Sequence, residues 1–200
     1  NKSISKLKSE YSKNKSLDNI YTNRMIRLIN GRNNRITDYF NRVCHILVNI
    51  CIDHGVNTLV IGYNKGQKQD INLGVINNQK IVSIQYHKFR QKLEQLCIEH
   101  GISYISQEES YTSKASALDM DDIPTYGVDA APIAFNGKRI HRGLYRSSDG
   151  SVLNADINGS INILRKYVKE CNENWLYQDS VRALVNVPCQ RLNVFAQAIV

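Results

Sequence analysis

NADINGSINILRK, at residues 154–166, predicts the helix around which the other elements are arranged. It opens with small polar residues, which is typical of a helix start. Apolar residues then recur at helical spacing, at Ile157, Ile161, Leu164 and Val168. Asp156 falls at or just before the first helical turn, where its carboxylate points off the end of a helix anchored by its apolar face. This aspartate is either a helix cap or a metal ligand, and spacing alone favours the cap.

Upstream of this helix, the pattern predicts two short strands separated by a helix. Residues 58–61 form an apolar, β-branched run that is typical of a buried strand. A helix is predicted over 86–100, stopped by Gly101, and a second strand over 102–107. We expect both strands to share one sheet with this helix packed on it, because a layered arrangement buries both kinds of apolar face.

The rest of the chain is predicted in outline. A long helix is expected between residues 20 and 54, interrupted at Gly31, and a short extended piece at 81–84 within a long connection. Residues 138–153 are predicted to form a hairpin that leads into the Asp156 helix. The acidic residues between these elements favour a solvated loop over a metal site, and they are Asp119, Asp121 and Asp122.

The chain carries a formal net charge of +8, which favours a polyanionic partner such as nucleic acid. A solvated basic surface is the alternative, but the charges are clustered. One cluster is N-terminal, at Lys2, Lys6, Lys8, Lys13, Lys15, Arg24, Arg27, Arg32 and Arg35; the other comprises Lys138, Arg139, His141, Arg142 and Arg146. No apolar run reaches membrane-spanning length, so no membrane partner is expected. The chain starts without methionine, and we interpret it as a fragment.

The cysteines predict buried thiols and a reducing cytoplasm. They are odd in number and never spaced as C-x-x-C, at Cys44, Cys51, Cys97, Cys171 and Cys189. This pattern fits neither a disulfide framework nor a zinc site.

Three strings carry a resemblance to a known family. NADINGSINILRK, EESYTSKASALD at 108–119 and GKRIHRGLYRSSDG at 137–150 resemble, in order and spacing, the C-terminal half of the TnpB (OrfB) proteins of insertion sequences, relatives of type V CRISPR effectors. The resemblance covers about residues 20 to 170. It implies an α/β, RNase H-like (RuvC) fold with a mixed sheet flanked by helices. The implied organisation is a polar segment at 1–19, a partial nuclease domain at 20–170 and a tail at 171–200.

The resemblance also implies a two-metal nuclease site using Mg²⁺ or Mn²⁺. Asp156 matches the family's last catalytic aspartate. In most members of the family, the strand that corresponds to residues 58–61 ends in a glutamate, where this chain has Gly62. Glu109 and Glu108, at the end of the neighbouring strand, are the candidate substitutes. If the strand continues through them, only one can face the metal, and we favour Glu109 as the ligand beside Asp156. The family's first aspartate has no match.

The family's zinc ribbon is also absent, because no cysteine pairs occur at 113–117 or 144–147. We expect a metal-free hairpin insertion over 107–153, and no zinc. Four basic residues are then left to contact phosphates, namely Lys114, Arg139, Arg142 and Arg146.

Two functions follow from the resemblance. The first is the C-terminal part of a transposon-encoded, RNA-guided DNA endonuclease, with target DNA and guide RNA as partners. The alternative is a nuclease-dead DNA- or RNA-binding protein of the same origin. Gly62 and the missing first aspartate favour the alternative, whereas Glu109 with Asp156 favours the nuclease.

Overall fold

A computed structural model describes residues 6, 7, 9, 22–63, 86–129, 134–171, 178–185 and 194–195. The chain divides into two compact units, one of residues 1–56, 68–102 and 192–200, the other of 57–67 and 103–191. The expected extended piece at 81–84 and nearly all of the 1–19 segment lie outside the described residues. The division into 1–19, 20–170 and 171–200 stays a prediction. Among the described residues, no helix is long and apolar enough to cross a membrane.

The first unit is built on two helices, α1 (Asn23–Asp53) and α2 (Tyr86–Glu99), which pack against each other. Thr22 caps α1 by accepting a hydrogen bond from the backbone N–H of Met25. The predicted interruption at Gly31 is wrong, because α1 runs through it. One glycine costs a helix only about 1 kcal/mol relative to alanine, which a long packed helix tolerates.

Three of the five cysteines predicted to be buried lie in the apolar interior of this unit; Cys171 contradicts the prediction, and Cys189 lies outside the described residues. Cys44 and Cys97 are fully buried and Cys51 is nearly so, whereas Cys171, in the other unit, is exposed. Burial raises the pKa of Cys44 to about 11, which keeps the thiol protonated and unreactive at neutral pH. These three cysteines therefore act as small apolar side chains.

The second unit contains the two predicted strands, paired in parallel. Strands β1 (Thr58–Tyr63) and β2 (Ser103–Glu108) run in register from Thr58 opposite Ser103 to Tyr63 opposite Glu108. Three further strands form an antiparallel sheet, and they are β3 (Lys138–His141), β4 (Leu144–Arg146) and β5 (Val152–Asn154). The predicted hairpin is thus confirmed. Instead of one mixed sheet, the described part of the chain forms these two small sheets.

Helix α3 (Ala155–Glu170) is the centre of this unit, and the short helix α4 (Gln178–Val185) packs on it. The predicted apolar stripe is confirmed: Ile161 and Val168 are buried, and they pack with Tyr145 and Leu153 of the antiparallel sheet. Helix α3 also contacts β1 and β2. One helix therefore joins both sheets through its different faces.

The helix predicted to pack on β1 and β2 belongs to a different unit from these strands. Within its own unit, helix α2 packs against α1. In the unit of the sheet, the helix that contacts both strands is α3. An apolar stripe such as that of Leu93 and Leu96 can be buried equally well by a sheet or by a helix, so the pattern does not identify the partner.

Candidate functional site

Asp156 lies in the first turn of α3, and another residue caps the helix. The side chain of Asn154 accepts hydrogen bonds from the backbone N–H groups of Asp156 (2.8 Å) and Ile157 (3.2 Å). Asn154 is therefore the N-cap, and the carboxylate of Asp156 is exposed. The cap interpretation of Asp156, which spacing alone favoured, is thus wrong. A carboxylate in this position remains accessible to a ligand from solvent.

Glu109 lies immediately beyond the end of β2, beside Gly62. Its backbone N–H donates to the carbonyl of Tyr63 (3.2 Å), which fixes the backbone of Glu109 next to β1. A Cβ atom added at Gly62 would collide with Oε2 of Glu109 and would lie 2.7 Å from Cδ1 of Ile163. The carboxylate of Glu109 therefore occupies the space that a side chain at position 62 would take.

Asp156 and Ile163, which lies near Gly62, are both on helix α3. Ile163 lies seven residues after Asp156, and seven residues at 3.6 per turn complete almost two turns, so both side chains leave the same face, about 10 Å apart along the axis. The side chains of Asp156 and Ile163 both lean toward the N-terminus of the helix, so the lean does not change their separation. Asp156 therefore lies on the face of α3 that presents Ile163 toward Gly62, and the convergence of the Glu109 and Asp156 carboxylates on one metal position stays a prediction. Across the described residues, no group of three or more histidine, cysteine, aspartate or glutamate side chains could hold a metal ion.

Glu108 has a different environment, because it forms an ion pair with Lys166 of α3. The side chain of Lys166 is only 4% exposed, and its amino group also donates to the carbonyl of Pro124 (3.4 Å). The other carboxylate oxygen of Glu108 accepts from the backbone N–H of Ser110 (2.6 Å). Glu108 is thereby committed to a structural contact, which supports Glu109 as the candidate ligand.

Strand alternation predicted that Glu108 points away from the side of the metal site. This prediction is wrong, because Glu108 faces Lys166 of α3. Both glutamates lie next to α3 side chains. The reason is that β2 ends at Glu108 and the chain turns at Tyr111, whose φ is 61°, so the alternation of a strand no longer applies to Glu109.

The Glu108–Lys166 pair predicts acid sensitivity. Burial by itself raises the pKa of Glu108, but hydrogen bonds from Lys166 and Ser110 outweigh it and lower the pKa below the ordinary value. A carboxyl group whose pKa is lower in the folded state stabilises the fold above its unfolded-state pKa, and this contribution disappears as pH falls through the folded-state pKa. The melting temperature should therefore fall between about pH 5 and pH 3. The melting temperature of the Glu108→Gln variant should fall less over this pH range. An equal fall in the melting temperatures of the variant and the wild type would contradict the prediction.

A buried polar row on α3 holds the loop that follows Glu109. Asn158 and Asn162 are fully buried, and Lys166 is nearly so. The amide of Asn158 accepts from the backbone N–H of Ala117 (2.9 Å) and donates to the carbonyl of Ala115 (2.8 Å). Asn162 donates to the carbonyls of Thr112 and Ala115. Sequence reasoning missed this row, although its spacing of four residues was a detectable signal.

Two of the three loop aspartates are structural acceptors, contrary to the predicted solvated loop. Asp121 is buried and accepts from the backbone N–H of Ser116 (2.8 Å) and from the side chain of Asn136 (2.6 Å). Asp119 accepts from the backbone N–H of Ser148 (3.0 Å). Asp122 alone fits the prediction, since its side chain is 98% exposed, beside Lys169. The acidic cluster thus holds the loop against β3–β5.

Tyr145 joins the two segments in which cysteine pairs would have fallen. Its hydroxyl donates to the carbonyl of Lys114 (2.7 Å), and its ring lies in the core. Burial and the nearby carboxylates of Asp121 and Asp119 raise the pKa of Tyr145 to about 12, so the hydroxyl remains a donor at neutral pH. Hydrogen bonds and apolar packing therefore hold these segments together.

The predicted phosphate-binding residues are all exposed. They are Lys114, Arg139, Arg142 and Arg146. Within the described ranges, none of them forms an ion pair with an acidic side chain. Lys138 of β3 lies directly opposite Arg146 of β4, and like charges in such a cross-strand pair repel each other. The outer surface of the β3–β4 hairpin is therefore a patch of uncompensated positive charge.

A comparison with protein-family models matches the part of the chain that contains Glu109 and Asp156. Residues 86–163 match the family model described as Cas12f1-like, TNB domain. The matched range runs from α2 through β2, the loop and the β3–β5 sheet into α3. It supports a relation to the TnpB and Cas12 proteins. A search of curated proteins gives no match.

Proposed function

We propose that this chain is the C-terminal part of a transposon-encoded, RNA-guided DNA endonuclease with an RNase H-like (RuvC) active site. The observation that carries the proposal is the carboxylate of Glu109 in the space beside Gly62. The resemblance expects a glutamate at the end of β1, and Glu109 supplies one from the neighbouring strand. Asp156 supplies the second carboxylate from the accessible first turn of α3.

The chemistry follows from the ligand type. Carboxylate oxygens select Mg²⁺ or Mn²⁺, and such ions supply an activated water and stabilise the leaving oxygen of a phosphodiester. The contribution of the chain is to hold the carboxylates in place. Glu109 is held by its backbone bond to Tyr63, and the absence of a side chain at Gly62 leaves room for its carboxylate. The Glu108–Lys166 pair fixes the adjacent backbone to α3.

The basic hairpin supports nucleic acid as the partner. Arginine side chains bind phosphate oxygens through two parallel hydrogen bonds, and a polyanion relieves the repulsion between Lys138 and Arg146. Because the patch lies on the hairpin that leads directly into α3, a bound strand would pass near Asp156. Phosphate contacts of this kind position a strand without reading its sequence.

Charge reversal on the hairpin tests this proposal. Arg139→Glu and Arg142→Glu should each weaken nucleic-acid binding, by about 10-fold at moderate salt, and make the dependence of affinity on salt less steep. Sequence preference should not change. Fluorescence anisotropy over a series of salt concentrations measures both effects. Lys169→Glu is the matched control, because Asp122 already lies beside that amino group (3.3 Å). Binding that is independent of salt, or unaffected by both reversals, would contradict the proposal.

A second candidate is a nuclease-dead nucleic-acid-binding protein. Gly62 favours it, as does the lack of a match in this sequence to the family's first catalytic aspartate. Under this alternative, the hairpin binds nucleic acid and the carboxylates have no catalytic role. Mg²⁺-dependent DNA cleavage by the full-length protein distinguishes the two candidates.

A further inference from the structure

Tyr126 presents its ring to solvent on an ordered turn close to Glu109. Its exposed fraction is 78%, and Gly127 forms the turn with a φ of 76°. The turn is closed by Asp129, whose backbone N–H donates to the carbonyl of Thr125 (3.0 Å) and whose carboxylate accepts from the backbone N–H of Thr125 (2.8 Å). The ring is therefore held out from the surface by a fixed backbone.

The turn is tied to the end of β2. The backbone N–H of Tyr126 donates to Oγ of Ser110 (2.9 Å), and Ser110 directly follows Glu109. The amino group of Lys166 also donates to the carbonyl of Pro124 (3.4 Å), so the ion pair that fixes Glu108 fixes the turn as well. Movement of Tyr126 relative to Glu109 is restricted by these bonds.

Two more aromatic rings and a lysine complete the surface. The ring of Tyr111 lies 6.5 Å from that of Tyr126 and 6.2 Å from that of Phe135, measured between centroids. The amino group of Lys114 lies 5.7 Å from the centroid of Tyr111. Tyr111 has a φ of 61°, which is strained for a residue with a side chain and places its ring in this cluster. We define these residues, Tyr111, Lys114, Tyr126 and Phe135, as the aromatic cluster.

We propose that the aromatic cluster is a stacking site for an unpaired base of a single nucleic-acid strand, with Lys114 contacting the adjacent phosphate. This inference rests on the proposed function. A single exposed tyrosine needs no ligand, but several aromatic rings beside a cation are the elements with which proteins bind single strands. A base within a duplex has both faces covered by its neighbours, so the site selects unpaired strands. Its position places the strand beside Glu109.

Three oligonucleotides of about 12 nucleotides test the inference: single-stranded oligothymidine, the same backbone without bases, and a duplex. The wild-type chain should bind oligothymidine more tightly than the abasic strand. Tyr126→Ala should weaken oligothymidine binding by about 5-fold to 100-fold, the effect of losing one stacked base. It should leave abasic and duplex binding unchanged, and the slope of affinity against salt as well, because no phosphate contact is lost.

Two variants make the result decisive. Tyr126→Phe keeps the ring and should bind like the wild type. Val128→Ala changes another side chain of the same turn, 80% exposed, and should have no effect. If Tyr126→Ala binds oligothymidine like the wild type while Arg139→Glu and Arg142→Glu weaken binding, the stacking site is wrong and the proposed function stands. If the arginine variants also have no effect, the proposed function itself fails.

Discussion

Glu109→Gln and Asp156→Ala are each expected to reduce Mg²⁺-dependent DNA cleavage by the full-length protein by a factor on the order of 10² or more. Glutamine keeps the volume of Glu109 in the space beside Gly62 but removes the negative charge that a divalent ion requires. Alanine at position 156 removes an exposed carboxylate without disturbing the cap, which Asn154 provides. Binding of DNA should change little, because the exposed basic side chains carry it. Cleavage rates and affinities measured on the same substrate separate the two effects.

Asp122→Asn is the matched control for these variants. It neutralises a carboxylate of the same unit that is 98% exposed and has no place in the candidate site, so cleavage should be unchanged. An active Glu109→Gln protein combined with an inactive Glu108→Gln protein would assign the role to Glu108. Cleavage that survives the loss of both Glu109 and Asp156 would contradict the site.

Asn158→Ala is expected to destabilise the chain by about 2–4 kcal/mol. The change removes two buried hydrogen bonds and leaves the backbone N–H of Ala117 without its acceptor, whereas the carbonyl of Ala115 keeps its bond from Asn162. Urea unfolding followed by circular dichroism measures the difference. Gly159→Ala is the control at the next position: nothing lies near an added Cβ there, so it should stabilise α3 by up to about 1 kcal/mol. A change within about 0.5 kcal/mol for Asn158→Ala would show that the row is dispensable.

The elements that sequence patterns predicted well are those whose partners need not be known. The stripe of Ile157, Ile161, Leu164 and Val168 identified α3 because helical periodicity is a property of the segment itself. The β-branched run at 58–61 identified β1 in the same way. In contrast, the periodicity of α2 does not show whether its apolar stripe packs on a helix or on a sheet, because the pattern is the same in both cases.

The polar contacts of the site were harder to predict. Asn158, Asn162 and Lys166 are types of residue usually found at the surface, and they are buried here because backbone groups of the 112–117 loop and the carboxylate of Glu108 meet them. The local sequence does not predict those partners, because they lie more than 40 residues away along the chain. The resemblance led us to predict that Glu109 replaces the glutamate expected at position 62. The sequence pattern alone does not give the register of β1 with β2, which sets Gly62 opposite Gln107 and so brings the side chain of Glu109 beside Gly62.

Titration of the full-length protein with Mn²⁺, followed by calorimetry, tests whether Glu109 and Asp156 hold a divalent ion. We expect the wild-type protein to bind Mn²⁺ and Glu109→Gln and Asp156→Asn each to weaken binding by about 10-fold or more, because each removes one carboxylate ligand. Asp122→Asn should bind like the wild type. Absence of Mn²⁺ binding by the wild-type protein, or binding that neither Glu109→Gln nor Asp156→Asn weakens, would contradict the metal site and leave the nuclease-dead nucleic-acid-binding protein as the function of this chain.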